Sequence, residues 1–294
     1  MKSSKVSLRR HETLRGGLLR IFKVLTDAAP SHSDKSQNDE ETTHRIRTTI
    51  KRLRSLLRLI RPAVDAAFFD RENGRLRTAA RLLSSARDSE VARDTVKTLP
   101  MSGQSGRQAV DAVLSGLETR IERAKAHEPD LAEVKRRLEQ TRRSVRRLKV
   151  HRKEREIIEP AIKAVYRQGR KRMKTAIQTG QDGDYHRWRI RAKNLYYELQ
   201  FLEPIWPKRL HRMTARLSKL QDRIGLDHDL AVLRAELKKT PDAFGGEDKV
   251  ERIVSCLDRQ THKLRRAAAP LGRKIWRKKP SRFARKLTAH WCDR

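Results

Sequence analysis

Cysteine and aromatic residues are scarce in this sequence of 294 residues. The two cysteines, Cys256 and Cys292, form no CxxC pair, so neither a disulfide framework nor a zinc site is predicted. Aromatic residues make up 5% of the chain, which leaves few platforms on which the bases of single-stranded nucleic acid would stack. The cysteine usage is typical of a protein in a reducing cytoplasm.

Long apolar runs are absent as well. No stretch approaches the roughly 18 consecutive apolar residues that a membrane-spanning helix needs. The basic segment MKSSKVSLRRHETLRGG at the start of the sequence contains no apolar region of the kind found in signal peptides. We therefore expect a cytoplasmic protein with no membrane partner.

The usual signatures of catalysis are missing too. There is no P-loop, HExxH, GxSxG or pair of catalytic carboxylates, so we predict no catalytic residue, metal site or cofactor. The tripeptide DHD at residues 227–229 superficially resembles a metal-binding motif. We interpret Asp229, and Asp88 in the first half of the chain, as helix caps or as acids that orient a neighbouring arginine.

Positive charge, by contrast, is abundant. Lysine and arginine number 71 against 36 acidic residues, which gives a formal net charge of +35. Repulsion among so many cations opposes compactness, and it indicates a polyanionic partner. Hydrophobic residues still make up 36% of the chain, enough for a core, so the sequence does not predict disorder.

Helical periodicity runs through most of the sequence, and the alternation typical of strands is nearly absent. The sequence therefore predicts an all-α protein. The polar segment 31–41 is predicted to be a mobile loop. The predicted helices cover residues 8–27, 43–61, 67–87, 105–127, 129–156, 158–179, 185–203, 207–226, 228–239, 246–268 and 271–289.

The helix predicted at 43–61 carries a row of positive charge. On a helix with 100° per residue, its basic face occupies an arc of about 80°, and isoleucines and leucines occupy the opposite face. One face of this helix is therefore suited to a core and the other to an anion. The residues of the basic face are His44, Arg47, Lys51, Arg54 and Arg58.

A second basic helix repeats this pattern 142 positions later. The pair Asp88 and Asp229 repeats at nearly the same offset, which suggests a duplication. We expect two similar helical bundles, residues 1–155 and 156–294, related by a pseudo-two-fold axis. In the two basic helices, His44, Arg45, Arg47 and Lys51 correspond to His186, Arg187, Arg189 and Lys193.

The two histidines are predicted to stand at helix starts. Thr42 and Asp184, two residues before them, are good N-caps. That placement puts His44 and His186 in the first helical turn, where free backbone N–H groups favour an anion. Other basic residues at helical spacing are expected to join this site, although periodicity does not decide which of them face it. They are Arg20, Lys23, Arg77, Arg81, Arg170, Lys174, Arg216 and Lys219.

These motifs resemble those of the CHAD family, the conserved histidine α-helical domain. The matching segments occur in the family's order over most of the chain: HRIRTTIKRLRSLLRLIRP, the stretch that ends in ARDSEV, YRQGRKRMK, HRWRIRAKNLYYELQFLEPIWP and LQDRIGLDHDLAVL. The resemblance implies two helical bundles around a basic central channel that binds inorganic polyphosphate, often at polyphosphate granules. It also implies that His44 and His186 face this channel.

Two positions depart from the family pattern. Tyr196 stands where the second basic helix commonly has arginine, and Thr49 stands opposite Arg191, so the halves are expected to contribute unequally. The E-x-E-x-K motif of the triphosphatase domain that is sometimes fused to the family is absent, so the resemblance implies no catalysis. Two alternatives remain: a nonspecific nucleic-acid binder that uses the same positive field, and a polyphosphate hydrolase with a metal held by His228 and Asp229.

Overall fold

The computed structural model describes residues 6–9, 11–28, 39–83, 87–125, 130–149 and 152–291. This part of the chain is all-α, as predicted: it forms helices joined by turns and short 3-10 segments and contains no strand. None of these helices is both long and apolar enough to cross a membrane. The α-helices are α1 (Leu14–Asp27), α2 (Asp39–Leu59), α3 (Ala66–Arg81), α4 (Arg87–Lys97), α5 (Gly103–Lys125), α6 (Leu131–Arg146), α7 (Glu154–Thr179), α8 (Asp182–Phe201), α9 (Pro207–Lys239), α10 (Glu247–Ile275) and α11 (Pro280–Ala289).

Two predicted helix breaks are wrong. α9 is one helix where two were predicted, because Ile224 and Leu230 continue the buried face across the supposed gap. α10 continues through Pro270, which lacks one backbone donor and normally kinks or ends a helix. The buried Ala268 and Gly272 on either side of this proline pack into the structure, and tertiary packing thus outweighs the local cost.

Other predicted boundaries also change. α4 was not predicted as a helix; among its described side chains, Ala92 and Val96 are the buried apolar ones, and they mark its inner face together with the buried Thr95. The helix predicted at 129–156 ends at Arg146, since no described side chain is buried between Val145 and Ile157. In the segment predicted as a loop, residues 39–41 belong to α2, and residues 31–38 lie outside the described part.

The helices surround two hydrophobic cores. The larger core joins α1, α2, α3, α6, α7, α8 and α11 with the first half of α9 and the end of α10. The smaller core joins α4 and α5 with the second half of α9 and most of α10. Each core therefore contains residues from both predicted halves, and the division at residue 155 remains a prediction from the repeated motifs.

Tryptophan packing holds α8 in the middle of the larger core. Trp188 is fully buried, and a Cβ atom on Gly272 of α10 would lie 2.6 Å from its ring. In the same way, a Cβ atom on Gly169 of α7 would lie 2.6 Å from Trp276. Because both glycines allow this close approach, α7, α8 and α10 form a rigid group. α8 also contacts α2, and this contact positions the basic residues of both helices.

Candidate anion-binding site

The basic faces of α2 and α8 meet where the two helices pack together. Arg47 lies close enough to Arg189 for its charge to lower the pKa of that guanidinium. The charges of Lys51 and Arg47 likewise lower the pKa of Lys193. The corresponding positions of the two predicted repeats thus lie side by side. We call this group the paired-helix site; its residues are Arg47, Lys51, His186, Arg189 and Lys193.

Lys193 reports how strongly positive this site is. Burial, followed by the charges of Arg189, Lys51 and Arg47, lowers the pKa of Lys193 to about 7. The carboxylate of Asp229 acts in the opposite direction but only partly offsets the cations. In the free protein, Lys193 is consequently close to half protonated at neutral pH. An anion bound here would oppose the repulsion and favour the charged form of Lys193.

A pair of histidines borders the site. The Nδ1 atoms of His186 on α8 and His228 on α9 are 3.2 Å apart, so one nitrogen donates a hydrogen bond and the other accepts it. Burial and then Arg189 lower the pKa of His228 to about 4, and the same two causes lower the pKa of His186. His228 is not among the residues predicted to bind the anion. It belongs to the tripeptide DHD, and the hydrolase alternative assigns it as a metal ligand.

The structure corrects the predicted helix starts. α2 and α8 begin three and two residues before the expected N-caps, so Thr42 and Asp184 lie inside their helices. The Asp184 carboxylate instead accepts hydrogen bonds from Arg187, at 2.7 Å, and from the hydroxyl of Thr179, at 2.9 Å. Neither histidine therefore lies in the first helical turn. The positive potential comes from side chains rather than from free N–H groups beside the histidines.

An ion-pair network fixes the first turn of α8. Arg265 of α10 donates to Asp182 at 2.5 Å and to Asp227 at 2.6 Å, and it also donates to the carbonyl of Gly180. Its guanidinium lies over the ring of Tyr185, 4.3 Å from the ring centroid. Because Arg265 connects α8, α9 and α10, it fixes the first turn of α8, directly before the part of the helix from which His186 and Arg189 project. Sequence periodicity gave no indication of this role.

The basic face of α2 continues past the paired-helix site. Arg54 donates to Asn73 of α3 at 3.0 Å, and Arg77 lies near enough to lower the pKa of Arg54 after burial. Burial and Arg54 lower the pKa of Arg58 to about 10. Arg58 faces Glu198 of α8, and burial raises the pKa of that fully buried carboxyl to about 8. Arg54 and Arg58 thus extend the row along α2, as the periodicity predicted.

Glu198 makes stability depend on pH. The pKa of Glu198 is higher in the folded protein than its unfolded-state value of 4.5. Glu198 therefore contributes fully to the free energy of unfolding below pH 4.5, and this contribution is lost as the pH rises towards 8. We expect the wild-type protein to lose roughly 2 kcal/mol more unfolding free energy than Glu198→Gln between pH 6 and pH 8. Urea unfolding at both pH values measures this difference. Glu118→Gln, at an exposed position on α5, is the control; equal losses in wild type and Glu198→Gln would contradict the assignment.

Several other predicted residues are engaged elsewhere or lie on the surface. Arg20 forms an ion pair with Glu12 at 2.6 Å and donates to the carbonyl of Ser7 at 2.8 Å. Arg170 donates to the backbone carbonyl of Lys278, in the turn between α10 and α11, at 3.3 Å. The exposed members of the predicted set are Lys23, His44, Arg45, Arg77, Arg81, Lys174, Arg187, Arg216 and Lys219.

The two predicted acidic caps have different outcomes. Asp229 lies in the middle of α9, so it does not cap that helix, but its charge acts on Arg189 and Lys193, in line with the predicted role beside an arginine. The side chain of Asp88 lies outside the described part of the structure.

The described part of this protein is all-α, and cations from separate helices come together in it, so the protein belongs to the class of basic all-α proteins. Residues 20–238 match the family model of the CHAD domain, so the chain belongs to the CHAD family, and the resemblance drawn from its motifs is confirmed. The crystal structure of the CHAD domain from the plant Ricinus communis has a similar fold. Its TM-score is 0.64 at 18% sequence identity, over 94% of this chain and 96% of that chain. No curated protein matches the sequence.

Proposed function

We propose that this protein binds inorganic polyphosphate, without catalysis, at the paired-helix site. The observation that carries the proposal is the convergence of Arg47 and Lys51 of α2 with Arg189 and Lys193 of α8. Four cations held together by the core repel one another until an anion lies between them. A polyanion with a charge on every unit satisfies this arrangement.

Polyphosphate fits the chemistry better than a nucleic acid does. Forked arginine donors and the point charge of lysine match phosphate oxygens, and polyphosphate offers no base to recognise. The five residues of the site include no tryptophan, tyrosine or phenylalanine. Tyr197 lies beside Arg189, but the guanidinium of Arg52 lies over its ring, so the site offers few ring faces on which the bases of single strands would stack. Affinity should arise largely from counterion release and should fall steeply with salt, as it does for other linear polyanions.

The proposal includes the internal symmetry of the chain. Arg47 and Arg189, and likewise Lys51 and Lys193, are neighbours in space and lie at the same offset in the sequence, as a pseudo-two-fold axis between α2 and α8 would require. We infer a shared basic channel along this axis, with Arg54 and Arg58 as its continuation. A protein of this kind would reside in the cytoplasm and associate with polyphosphate granules.

A metal-dependent hydrolase is less consistent with the site. His228 and Asp229 lie among Arg189 and Lys193, and this positive environment disfavours a divalent cation. His228 already pairs with His186 through Nδ1. We therefore expect no orthophosphate when long-chain polyphosphate is incubated with the protein and Mg²⁺ or Mn²⁺. Protein-dependent release of orthophosphate would contradict the noncatalytic proposal.

Removing one arginine from each helix tests the site. We expect Arg47→Ala with Arg189→Ala to weaken binding of labelled long-chain polyphosphate by about tenfold at low salt. The loss is limited because removing two cations also lets Lys193 regain its proton. The slope of log affinity against log salt should decrease by roughly one to two. Fluorescence titration measures affinity, and circular dichroism confirms the helical content.

The matched control removes the same charge from another part of the protein. Arg107 of α5 and Arg252 of α10 are exposed on the helices that form the smaller core. Their double alanine variant has the same net charge as the test variant, and we expect it to bind almost as the wild type does. Equal affinities for the two double variants would reject the site assignment. Displacement of bound polyphosphate by single-stranded DNA at equal phosphate concentration would instead favour the nucleic-acid alternative.

A further inference from the structure

A second group of cations lies at the C-terminal end of the fold. Arg209 near the start of α9, the turn between α10 and α11, and α11 itself come together there. Arg282 and Lys286 are four residues apart on α11, so they share one face of the helix. We call this group the C-terminal cation cluster; its residues are Arg209, Arg277, Lys278, Arg282 and Lys286.

The cluster rests on a rigid platform. The ring of Tyr166 on α7 stacks on Phe283 of α11 with centroids 4.5 Å apart, and its hydroxyl donates to the carbonyl of Ile275 at 2.9 Å. Trp206, just before α9, packs on His290 at the end of α11 with centroids 4.5 Å apart. The backbone around the turn from α10 to α11 is thus held from both sides. The cations that project from it start from fixed positions.

The charges that act on Lys278, at the centre of the cluster, have the same sign as its own. The four charges that act most strongly on Lys278 all belong to cations, and together with burial they lower its pKa. The Nε atom of Arg209 is buried and has no hydrogen-bond partner within the described residues. A group of cations left in mutual repulsion on a rigid surface indicates a site for an external anion.

The helix starts in this region add to the effect. The first turns of α9 and α11 contain no acidic residue, and neither N-cap, Trp206 or Lys279, forms a side-chain cap. Acids normally stabilise a helix start, and cations such as Arg209 and Arg282 destabilise it. An anion bound beside these helix starts would balance both the positive ends of the two helix dipoles and the positive charges of the side chains.

This cluster is separate in sequence from the paired-helix site. Four of its five residues lie beyond residue 238, where the match to the CHAD family model ends. Its elements are the start of α9, the turn between α10 and α11, and α11 itself, whereas the paired-helix site is built on α2 and α8. The cations of the cluster extend along one face of α11, and this arrangement suits a linear chain.

We propose that the C-terminal cation cluster is a second binding surface for polyphosphate, so that one long chain contacts both this cluster and the paired-helix site. The choice of polymer rests on the function proposed above. Two linked contacts raise affinity because the second binding step is intramolecular. A chain too short to reach both surfaces gains nothing from the second one. The cluster would therefore make binding depend on chain length.

The test compares a long and a short ligand in one variant. We expect Lys278→Gln with Arg282→Gln and Lys286→Gln to weaken binding of long-chain polyphosphate by roughly tenfold or more. Binding of tripolyphosphate at the paired-helix site should change less than about twofold. Arg107→Gln with Arg252→Gln and Lys263→Gln removes the same charge from exposed positions elsewhere and serves as the control.

The outcomes separate this inference from the proposed function. Equal losses in the test and control variants, or no loss for the long chain, would overturn the second surface. A loss confined to single-stranded DNA, with polyphosphate binding unchanged, would overturn the choice of polymer. If the cluster variant weakens long-chain binding while Arg47→Ala with Arg189→Ala does not, the second surface stands and the paired-helix assignment fails.

Discussion

Raising the pH from 7 to 9 is expected to weaken polyphosphate binding by roughly 10- to 100-fold. Burial and the charges of Arg189, Lys51 and Arg47 lower the pKa of Lys193 to about 7 in the free protein, with Asp229 opposing them. A bound phosphate would return this pKa towards its ordinary value of 10.5. Above pH 7, binding must therefore take up a proton. The affinity then falls by at most about tenfold for each pH unit.

The histidine pair extends the same dependence to lower pH. The pKa of His228 is about 4 in the free protein, and the pKa of His186 is lowered as well. Phosphate beside the pair would raise both values, so binding should also be tighter at pH 6 than at pH 7. Titrations with labelled polyphosphate at constant ionic strength, from pH 6 to pH 9, measure the full profile.

Two substitutions identify the group responsible. Arginine in place of Lys193 keeps its charge over the whole range, so Lys193→Arg should flatten the profile above pH 7. Lys193→Met should reduce affinity much more at pH 6 than at pH 9, where the lysine of the free wild-type protein is mostly neutral and must take up a proton on binding. A Lys193→Met protein that keeps the wild-type slope above pH 7 would show that another group takes up the proton.

The amphipathic pattern of the sequence predicted most of the fold. Helical periods place apolar residues on one face, and this signal recovered, at least in part, ten of the eleven α-helices in the described part of the chain. It failed at α4, where only two of the described side chains, Ala92 and Val96, are both apolar and buried. It also placed breaks in α9 and near Pro270 of α10, because tertiary packing rather than local preference decides whether such a helix continues.

The sequence predicted the composition of the candidate site better than its surroundings. Arg47, Lys51, Arg189 and Lys193 were named from their spacing, and the structure brings these four together. Helical spacing identifies a face, but it carries no information about which distant side chains lie opposite that face. For this reason neither the contact of His228 with His186 nor the role of Arg265 could be predicted.

Replacing Arg265 by methionine is expected to lower the free energy of unfolding by about 3 to 5 kcal/mol. The Asp227 side chain is only 2% exposed, and Arg265 Nε donates to it at 2.6 Å. Without the guanidinium, this buried carboxylate would lose the cation that hydrogen-bonds to it and keep only the more distant charge of Arg234, whereas Asp182 would keep its direct contact with Arg234. Urea unfolding at neutral pH measures the loss.

A second substitution distinguishes the cost of leaving the Asp227 carboxylate unpaired from the cost of losing the packing contacts of Arg265. Asp227→Asn removes the buried charge, so adding it to Arg265→Met should recover more than half of the lost free energy if charge burial is the cause. Arg266→Met, at the exposed neighbouring position, should change stability by less than about 0.5 kcal/mol. No recovery in the double variant would mean that the methionine acts through contacts such as the face of Tyr185. In that case, cation–π packing rather than ion pairing would hold the start of α8 beside the paired-helix site.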